Sequence, residues 1–268
     1  MGLSIIILNH NEKQKVLDCL ESLSWYLSHP ECECLVVDNA STDGSINEIR
    51  ARYPKVRLIE NRSNLGISRA RNAAFRETAY PYILSLDSDS KFVSGDLFKG
   101  TAFLDSHPQT ALLGPCLLEA SGAVQYSCRR FLTAPVPVIS RLAFLKILPA
   151  LAHLEDRHLM KEFDHHTERN VDYVLGACQF WRKSDFLAVG GYDERIFFGP
   201  EDADIGLRLN QQGKTTVYKP DIVFSHVHRR RTRDYLHPAT WRHLTGLVYY
   251  FRKHRYLFRP PAATENGF

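Results

Sequence analysis

YILSLDSDS, residues 82–90, joins a mainly apolar run to two aspartates that are separated by one serine. The apolar run is typical of a buried β-strand, and the aspartates follow at its carboxyl end. In extended backbone, positions i and i+2 point to the same side, so Asp87 and Asp89 can converge on one divalent cation. Such an ion can neutralise a departing diphosphate. The same triplet is common in surface turns, so alone it is weak evidence for a metal site.

The residues before this run alternate between two hydrophobic patterns. LSIIIL at residues 3–8 and CLVV at residues 34–37 predict buried parallel strands, and VRLI at residues 56–59 predicts a third. Apolar residues at steps of three and four predict a helix after the first strand, and Ser41 and Asp43 are suited to cap the next one. This order predicts an α/β fold with a Rossmann-like, mostly parallel central sheet flanked by helices.

Polar side chains follow the predicted strands. Asn9 and Asn11 come after the first strand, and Asp38 and Asn39 come after the second. Ligands of such sheets bind beyond the carboxyl ends of the strands. Amide and carboxylate groups there can hydrogen-bond to a nucleotide base or ribose, so these four residues are candidates for a nucleotide site. Turn formation and helix capping explain the same residue types, and that alternative stays open.

The composition is that of a globular protein. With 268 residues, of which 44% are hydrophobic, the chain is long enough for one large domain or a domain with an appendage. The six cysteines are scattered without CxxC spacing, which predicts reduced thiols and a cytoplasmic location. No basic start with a following apolar run precedes the first strand, so a cleaved signal peptide is not expected.

Several blocks in a fixed order carry a resemblance to a known family. They are SIIILNHN at residues 4–11, VVDNASTDGS at 36–45, EN with NLG at 60–66, DSD at 87–89, VLGA at 174–177, GGYDE at 190–194, EDAD at 201–204, and YKP at 218–220 ahead of His226. Over most of its length the chain resembles family 2 glycosyltransferases of the GT-A fold, close to the bacterial rhamnosyltransferase-like members. The resemblance implies contacts between the donor nucleotide and the Asp38–Asn39 pair.

The resemblance also implies a metal site. In it, His226 joins Asp89 and Asp87 as a ligand of Mg²⁺ or Mn²⁺. Both ions suit oxygen ligands and phosphate, and a single imidazole slightly favours manganese. Arg69 and Arg71 follow the NLG turn, and Arg71 is the better candidate for a contact with the donor diphosphate. An ion pair on a helix surface explains either arginine nearly as well.

A carboxylate is needed to take the proton of an acceptor hydroxyl as it attacks the anomeric carbon. The resemblance assigns this role to Asp202, with Glu201 as the alternative base. Both acids begin a helix predicted at residues 201–211, where the helix dipole favours anions, and this is also the ordinary reason for acids at such a place. Attack opposite the leaving diphosphate would invert the anomeric centre without a covalent intermediate.

Positive charge is concentrated towards the C-terminal end. Residues 226–259 hold nine Lys or Arg against one acid, while the rest of the chain holds 25 against 29. Aromatic residues interleave with the arginines, and Leu244, Leu247, Val248 and Phe251 have helical spacing, which predicts an amphipathic helix on an anionic membrane surface. A basic helix packed back on the domain is an equally good interpretation. Nucleic acid is not an expected partner.

The sequence predicts three segments with different tasks. Residues 1–226 would form the transferase domain, with the donor nucleotide in 1–115 and the acceptor and catalytic residues in 116–226. An insertion near 131–169, in which prolines interrupt an apolar stretch, is predicted to contact the acceptor or a membrane. Residues 227–268 would form a basic amphipathic C-terminal extension.

The prediction as a whole is an inverting, metal-dependent transferase. It would move a sugar from a nucleoside diphosphate donor to a glycan or a polyprenyl-diphosphate-linked glycan in bacterial cell-surface polysaccharide synthesis, at the inner face of the plasma membrane. Family resemblance favours L-rhamnose from dTDP-rhamnose, although UDP- and GDP-hexose donors use the same scaffold. A sugar nucleotidyltransferase would need a glycine-rich basic loop, and NHNE at residues 9–12 is not one. A glycan-binding module without catalysis would tolerate the loss of Asp89 or Asp202.

Overall fold

The computed structural model describes residues 2–227 and 238–261 of the chain. The strands assigned within them are β1 Leu3–Asn9, β2 Cys32–Asp38, β3 Arg57–Glu60, β4 Tyr82–Asp87, β5 Ser90–Ser94, β6 Thr110–Leu118, β7 Val124–Gln125, β8 Cys128–Arg129, β9 Arg169–Val171, β10 Tyr173–Val174, β11 Cys178–Arg182 and β12 Thr215–His226. The α-helices are α1 Lys13–Ser22, α2 Ser24–Ser28, α3 Ser45–Arg52, α4 Ile67–Glu77, α5 Leu97–Ser106, α6 Pro135–Arg141, α7 Pro149–His158, α8 Lys183–Ala188, α9 Glu201–Gln211 and α10 Pro238–His254, with a 3-10 helix at Ala143–Ile147.

The first four long strands form a parallel half-sheet in the order β3-β2-β1-β4. Every residue of β1 is buried, because helices cover both faces of a parallel sheet. The register sets Asn9 beside Asp38, and Leu8 beside Asp87, so the polar strand ends share one edge. The predicted parallel strands are confirmed here, with β3 one residue later than its predicted range.

The rest of the sheet mixes strand directions. The order continues β11-β6-β12-β5, in which β11 is antiparallel to β4 and β6, β12 is parallel to β6, and β5 is antiparallel to β12. Only Ser88 and Asp89 separate β4 from β5 in the chain, yet β5 lies at the far end of this order. Since two residues span only a few ångströms (about 7 Å), the sheet must curl to bring its second half near β4.

Two apolar clusters cover opposite faces of the sheet. Leu3, Ile5 and Ile7 enter one cluster, whereas Ile6 and Leu8 enter the other, as the alternation of side chains along a strand requires. The six cysteines are all free thiols, and five of them are buried. The sheet is therefore the middle layer of the core, and its carboxyl edge remains open for a site.

A third apolar cluster lies beside the sheet and joins the insertion to the C-terminal helix. It contains Phe131, Leu132, Val136, Tyr173, Ala203, Leu207, Leu247, Tyr250 and Tyr256. Helix α10 thus packs one face on the domain, as the second interpretation of the basic segment expects, while Trp241 and Val248 on the same helix are exposed. The predicted boundary at residue 226 stays a prediction. Residues 228–237 and 262–268, which carry several arginines of the basic segment, lie outside the described residues.

The predicted insertion contains α6, the 3-10 helix and α7. Prolines begin both α-helices, at a position where their missing N–H is not needed. Within residues 2–227 and 238–261, no helix combines the length and the apolar character that crossing a bilayer requires.

Candidate active site

Strand pairing brings the predicted metal ligands together. Asp87 ends β4, Asp89 lies between β4 and β5, and the antiparallel register of β12 on β5 sets His226 opposite Ser90. One ligand atom from each of Asp87, Asp89 and His226 lies within 4.8 Å of the other two. Two distant parts of the sequence therefore contribute to one candidate metal site.

His226 is oriented by Gln125, a residue that the sequence analysis missed. The His226 Nδ1 lies 2.8 Å from the Gln125 Oε1, which assigns the proton to Nδ1 and leaves Nε2 towards Asp89. The distance from Nε2 to the Asp89 Oδ1 is 3.4 Å. Burial acts to lower the pKa of His226, but the hydrogen bond and charge of Asp89 and the charge of Asp87 outweigh it and raise the pKa. Nothing in the sequence pairs residue 125 with residue 226.

Lys15 is a second residue that the sequence analysis missed. It lies on α1 with its Nζ 3.1 Å from the Asp89 Oδ2. Burial acts to raise the pKa of Asp89, but the hydrogen bonds and charges of His226 and Lys15 outweigh it and hold the pKa below its usual value. Two carboxylates and an imidazole form a donor set that suits Mg²⁺ or Mn²⁺, so the residues fit a divalent cation.

Arg71 links this site to the acids of α9. It is buried, with 1% of its side chain exposed, and its Nη2 lies 2.5 Å from the Asp87 Oδ1 and 2.8 Å from the Gly176 carbonyl oxygen, to which it donates. Its Nη1 lies 3.8 Å from the Glu201 Oε1. A Cβ at residue 176 would lie 2.9 Å from that Nη1, so the glycine leaves the room that the guanidinium occupies.

The two arginines after the NLG turn have different surroundings. Arg69 is exposed and lies 3.6 Å from Glu194, which is the surface ion pair that the sequence left as an alternative. Arg71 was the candidate for a phosphate contact, but here it is buried between Asp87 and Glu201, and reaching a phosphate would require it to leave these partners. The phosphate contact of Arg71 stays a prediction.

Glu201 and Asp202 stand at the first turn of α9, as predicted. Asp202 is half-buried and its carboxylate accepts hydrogen bonds from the backbone N–H groups of Ala203, at 2.8 Å, and Gly176, at 3.4 Å. Burial raises the pKa of Asp202. Glu201 is buried, and burial together with the charge of Asp202 raises its pKa to about 7. Asp202 is therefore the more accessible of the two acids, and Glu201 lies behind it.

Asp204 is the third acid in the first turn of α9, and its carboxylate is paired with basic side chains within the protein. It is fully buried and lies 2.8 Å from Arg208 and from His254, with Lys253 at 2.5 Å. These contacts tie α9 to α10.

The residues predicted to bind the nucleotide make hydrogen bonds within the protein. Asn9, Asp38 and Asn39 are buried. The Asn9 Nδ2 lies 3.0 Å from the Asp38 Oδ1, and the Asp38 Oδ2 accepts from the Ser41 N–H at 2.8 Å. Asn39 makes four hydrogen bonds to residues 61–66. These bonds hold the turn that contains the NLG block against the end of β2. Their contacts with a nucleotide stay predictions.

Asn11 is the exposed member of the predicted nucleotide set. Its backbone has a φ of 54°, and its Oδ1 accepts from the Thr42 N–H at 2.7 Å. Ser41 was expected to cap a helix, but its Oγ accepts instead from Asn9 and from the Asn11 N–H. Asp43 accepts from the N–H groups that begin α1 and α3, so its predicted capping role extends to both helices.

Sequence comparison identifies the family. The family described as Glycosyl transferase family 2 matches residues 4–148, more than half of the chain. The N-acetylglucosaminyl-diphospho-decaprenol L-rhamnosyltransferase of Mycobacterium tuberculosis is 28% identical over 264 residues, which cover 90% of this chain and 81% of that protein. Rhamnosyltransferase WbbL of Escherichia coli is 25% identical over 262 residues, with 94% of each chain covered.

Solved structures share the fold at low sequence identity. The mannosyltransferase PcManGT from Pyrobaculum calidifontis, in complex with GDP-Man and Mn²⁺, has a TM-score of 0.61 at 17% identity. GalNAc-T7 with UDP, GalNAc and Mn²⁺ has a TM-score of 0.65 at 14% identity. The matches cover 97% and 94% of this chain but only 65% and 48% of those chains. The chain belongs to glycosyl transferase family 2 and has the GT-A fold, with rhamnosyltransferases among its relatives.

Proposed function

We propose that this protein is an inverting, metal-dependent glycosyltransferase that transfers L-rhamnose from dTDP-rhamnose to a polyprenyl-diphosphate-linked glycan in cell-surface polysaccharide synthesis. The observation that carries the proposal is the arrangement of two acid pairs on either side of buried Arg71. One pair, Asp87 and Asp89, adjoins His226, and the other is Glu201 with Asp202. The names of two relatives support rhamnose as the sugar, and one of those names supports the lipid-linked acceptor.

The first acid pair is suited to the leaving group. Asp87, Asp89 and His226 would hold a divalent cation, which would neutralise the diphosphate of the departing nucleotide. Gln125 keeps the His226 ring in the orientation that directs Nε2 to this site. Mn²⁺ is named with two structural neighbours that share the fold, which supports a divalent cation for this chain.

The second acid pair is suited to the acceptor. Asp202 would accept the proton of the attacking hydroxyl, and two backbone N–H groups fix its carboxylate for that role. Burial moves the pKa of Asp202 towards neutral pH, and a general base is most effective when its pKa lies near the working pH. Attack from the acceptor side, opposite the diphosphate, inverts the anomeric centre in one displacement. Glu201 remains the alternative base.

The location follows from the acceptor. A polyprenyl-linked substrate resides in a membrane, so the reaction would take place at the inner face of the plasma membrane, with the protein bound peripherally. The donor alternatives are UDP- and GDP-hexoses, because the fold accepts either nucleotide.

The test is acceptor-stimulated release of nucleoside diphosphate from a panel of dTDP, UDP and GDP sugars, with Mg²⁺ or Mn²⁺ and a short-chain polyprenyl diphosphate GlcNAc. We expect release from dTDP-rhamnose, and a loss in kcat of roughly 10²- to 10⁴-fold for Asp202→Asn. Asp221→Asn removes an exposed carboxylate and is the matched control, expected to retain full activity. Full activity of Asp202→Asn would contradict its role as the base. Release from a UDP or GDP sugar alone would contradict dTDP-rhamnose as the donor.

A further inference from the structure

Exposed apolar side chains are concentrated in two segments of 24 residues each, 135–158 and 238–261. Among the described residues, fifteen large apolar side chains are exposed, and ten of them lie in these segments. The ten are Val138, Leu142, Phe144, Ile147, Leu148, Leu154, Trp241, Val248, Leu257 and Phe258. Single exposed apolar residues are normal, but such a concentration marks an interaction surface.

The two segments are packed together. The Ala134 N–H donates to the Leu257 carbonyl oxygen at 2.7 Å, just before α6 begins. At the other end of α6, the Arg141 Nη2 lies 2.8 Å from the His243 Nδ1 on α10. Helix α6 therefore runs antiparallel to α10, and the exposed residues of both segments belong to one structural unit.

Large apolar side chains are exposed within and directly after the 3-10 helix at residues 143–147. Phe144 is 64% exposed, Ile147 is 81% exposed and Leu148 is 56% exposed. Residues three apart lie on the same side of a 3-10 helix, so Phe144 and Ile147 point in a common direction, and Leu148 follows directly after the helix. Glu155 on α7 accepts from the Ser140 hydroxyl and pairs with the Lys146 ammonium, which fixes the turn on its inner side.

The charge of the unit is strongly positive. Residues 238–261 contain five Lys or Arg and no acid, and residues 135–158 contain three against two acids. Arg252, Arg255 and Arg259 are exposed. On α10, Trp241, Val248 and Arg252 follow each other at steps of seven and four, so an aromatic, an aliphatic and a cationic side chain share the outer face. This combination is complementary to an anionic lipid surface.

The same unit contacts the loop that leads to Glu201 and Asp202. A Cβ at Gly246 of α10 would lie 2.2 Å from the Gly199 carbonyl oxygen, so the helix touches this loop backbone to backbone. The Arg242 guanidinium lies 4.1 Å from the centre of the Phe197 ring. A surface bound through α10 would therefore be close to the acceptor side of the site.

We propose that the α6–α7 segment and α10 form one membrane-docking surface, in which Phe144, Ile147 and Leu148 enter the headgroup region of an anionic bilayer and the arginines of α10 contact lipid phosphates. Docking then holds Asp202 near the plane in which a lipid-linked acceptor lies. The orientation towards the acceptor rests on the proposed function, whereas lipid binding itself does not.

The test is flotation of the full-length protein with vesicles of phosphatidylglycerol and phosphatidylethanolamine, and with vesicles of phosphatidylcholine alone. We expect binding to the anionic vesicles and a partition coefficient that falls about tenfold or more in the triple variant F144S/I147S/L148S. The double variant R252E/R255E should weaken binding and lose its dependence on salt. The matched control W25S/L187S removes exposed apolar side chains outside both segments and should bind like the wild type.

Three results would overturn the proposal. They are no binding of the wild type to anionic vesicles, equal binding of the triple variant, and loss of self-association by light scattering in that variant with vesicle binding unchanged. The last result would assign the face to a second copy of the chain.

Release of nucleoside diphosphate with a water-soluble, short-chain acceptor separates this test from that of the proposed function. The triple variant should keep wild-type release with this acceptor and lose it with a long-chain acceptor in vesicles. Vesicle binding without any transfer would retain the surface and reject the function, whereas transfer without vesicle binding would do the reverse.

Discussion

The two ends of the candidate site differ in how their polar groups are satisfied. At the β1–β2 edge, both oxygens of Asp38 and all the hydrogen-bonding groups of the Asn39 amide are used within the protein. At the proposed catalytic edge, which carries Asp87, Arg71 and Glu201, the Arg71 Nε and Nη1 and the Glu201 Oε2 are buried without a hydrogen-bond partner among the described residues. The first edge is a hydrogen-bonded frame, while the second holds buried charges at an energetic cost, as reactive sites commonly do.

The Asn9 Oδ1 is the exception within the frame. It is buried and has no hydrogen-bond partner in the described part of the chain. Its Nδ2, in contrast, lies within 3.1 Å of Asp38, Ser41 and Ser45. Hydrogen-bond acceptors therefore outnumber N–H and O–H groups around Asn9.

The largest expected effect comes from removing the guanidinium at the catalytic edge. Arg71→Met leaves Asp87 and Glu201 without their shared cation and should lower the free energy of unfolding by about 3–5 kcal/mol, since one partner of a buried ion pair is lost. At the frame, Asn39→Ala removes hydrogen bonds among neutral groups and should cost only about 1–3 kcal/mol. Urea unfolding measures both changes.

Arg69→Met is the control for that pair, because its side chain is exposed and its ion pair with Glu194 is a surface one. We expect a change within about 0.5 kcal/mol for it. If Arg71→Met cost no more than Arg69→Met, the buried guanidinium would not be holding the two acids together, and the contrast between the two edges would fail.

A smaller effect is expected from the pH dependence of stability. Burial and the charge of Asp202 raise the pKa of Glu201 to about 7 in the folded protein, from 4.5 for the ordinary group. Between these values the folded state binds more protons than the unfolded state, so the contribution of Glu201 to stability is lost as pH rises through about 7. Each unit of difference in pKa corresponds to about 1.36 kcal/mol, so this contribution is about 3 kcal/mol at most.

Glu201→Gln should therefore stabilise the protein above pH 7, and its advantage over the wild type should shrink as pH falls towards 4.5. Thermal unfolding from pH 5 to pH 8 measures this difference. Glu77→Gln changes an exposed carboxylate and should show no such trend. If the stability difference between Glu201→Gln and the wild type were constant over this range, the pKa of Glu201 would not be raised in the folded protein.

The sequence was sufficient where local pattern determines structure. Continuous apolar runs such as LSIIIL predicted the buried strands, and the polar residues after them predicted the edge that carries the site. The helix of Glu201 begins at its predicted acids and spans the predicted range, residues 201–211. These features depend on residues that are close together in the sequence, so they can be predicted from it.

What the sequence did not reveal depends on strand pairing and burial. The meeting of His226 with Asp89 follows from the register of β12 on β5, which the residues alone did not predict and the family resemblance supplied. Lys15, Gln125 and the burial of Arg71 have no local signal, because each is defined by a partner far away in the chain. Packing of α10 on the domain was one of two interpretations of the sequence, but its contact with the insertion had no local signal, since both segments looked like separate appendages.

The most direct test of the account is a crystal structure with Mn²⁺ and dTDP, with data collected at the manganese absorption edge. We expect one strong anomalous peak in contact with Asp87, Asp89 and His226 and with oxygens of the diphosphate, and Asp202 facing the open side of the site. A peak elsewhere, or a diphosphate bound away from these three residues, would contradict the assignment of the reacting centre.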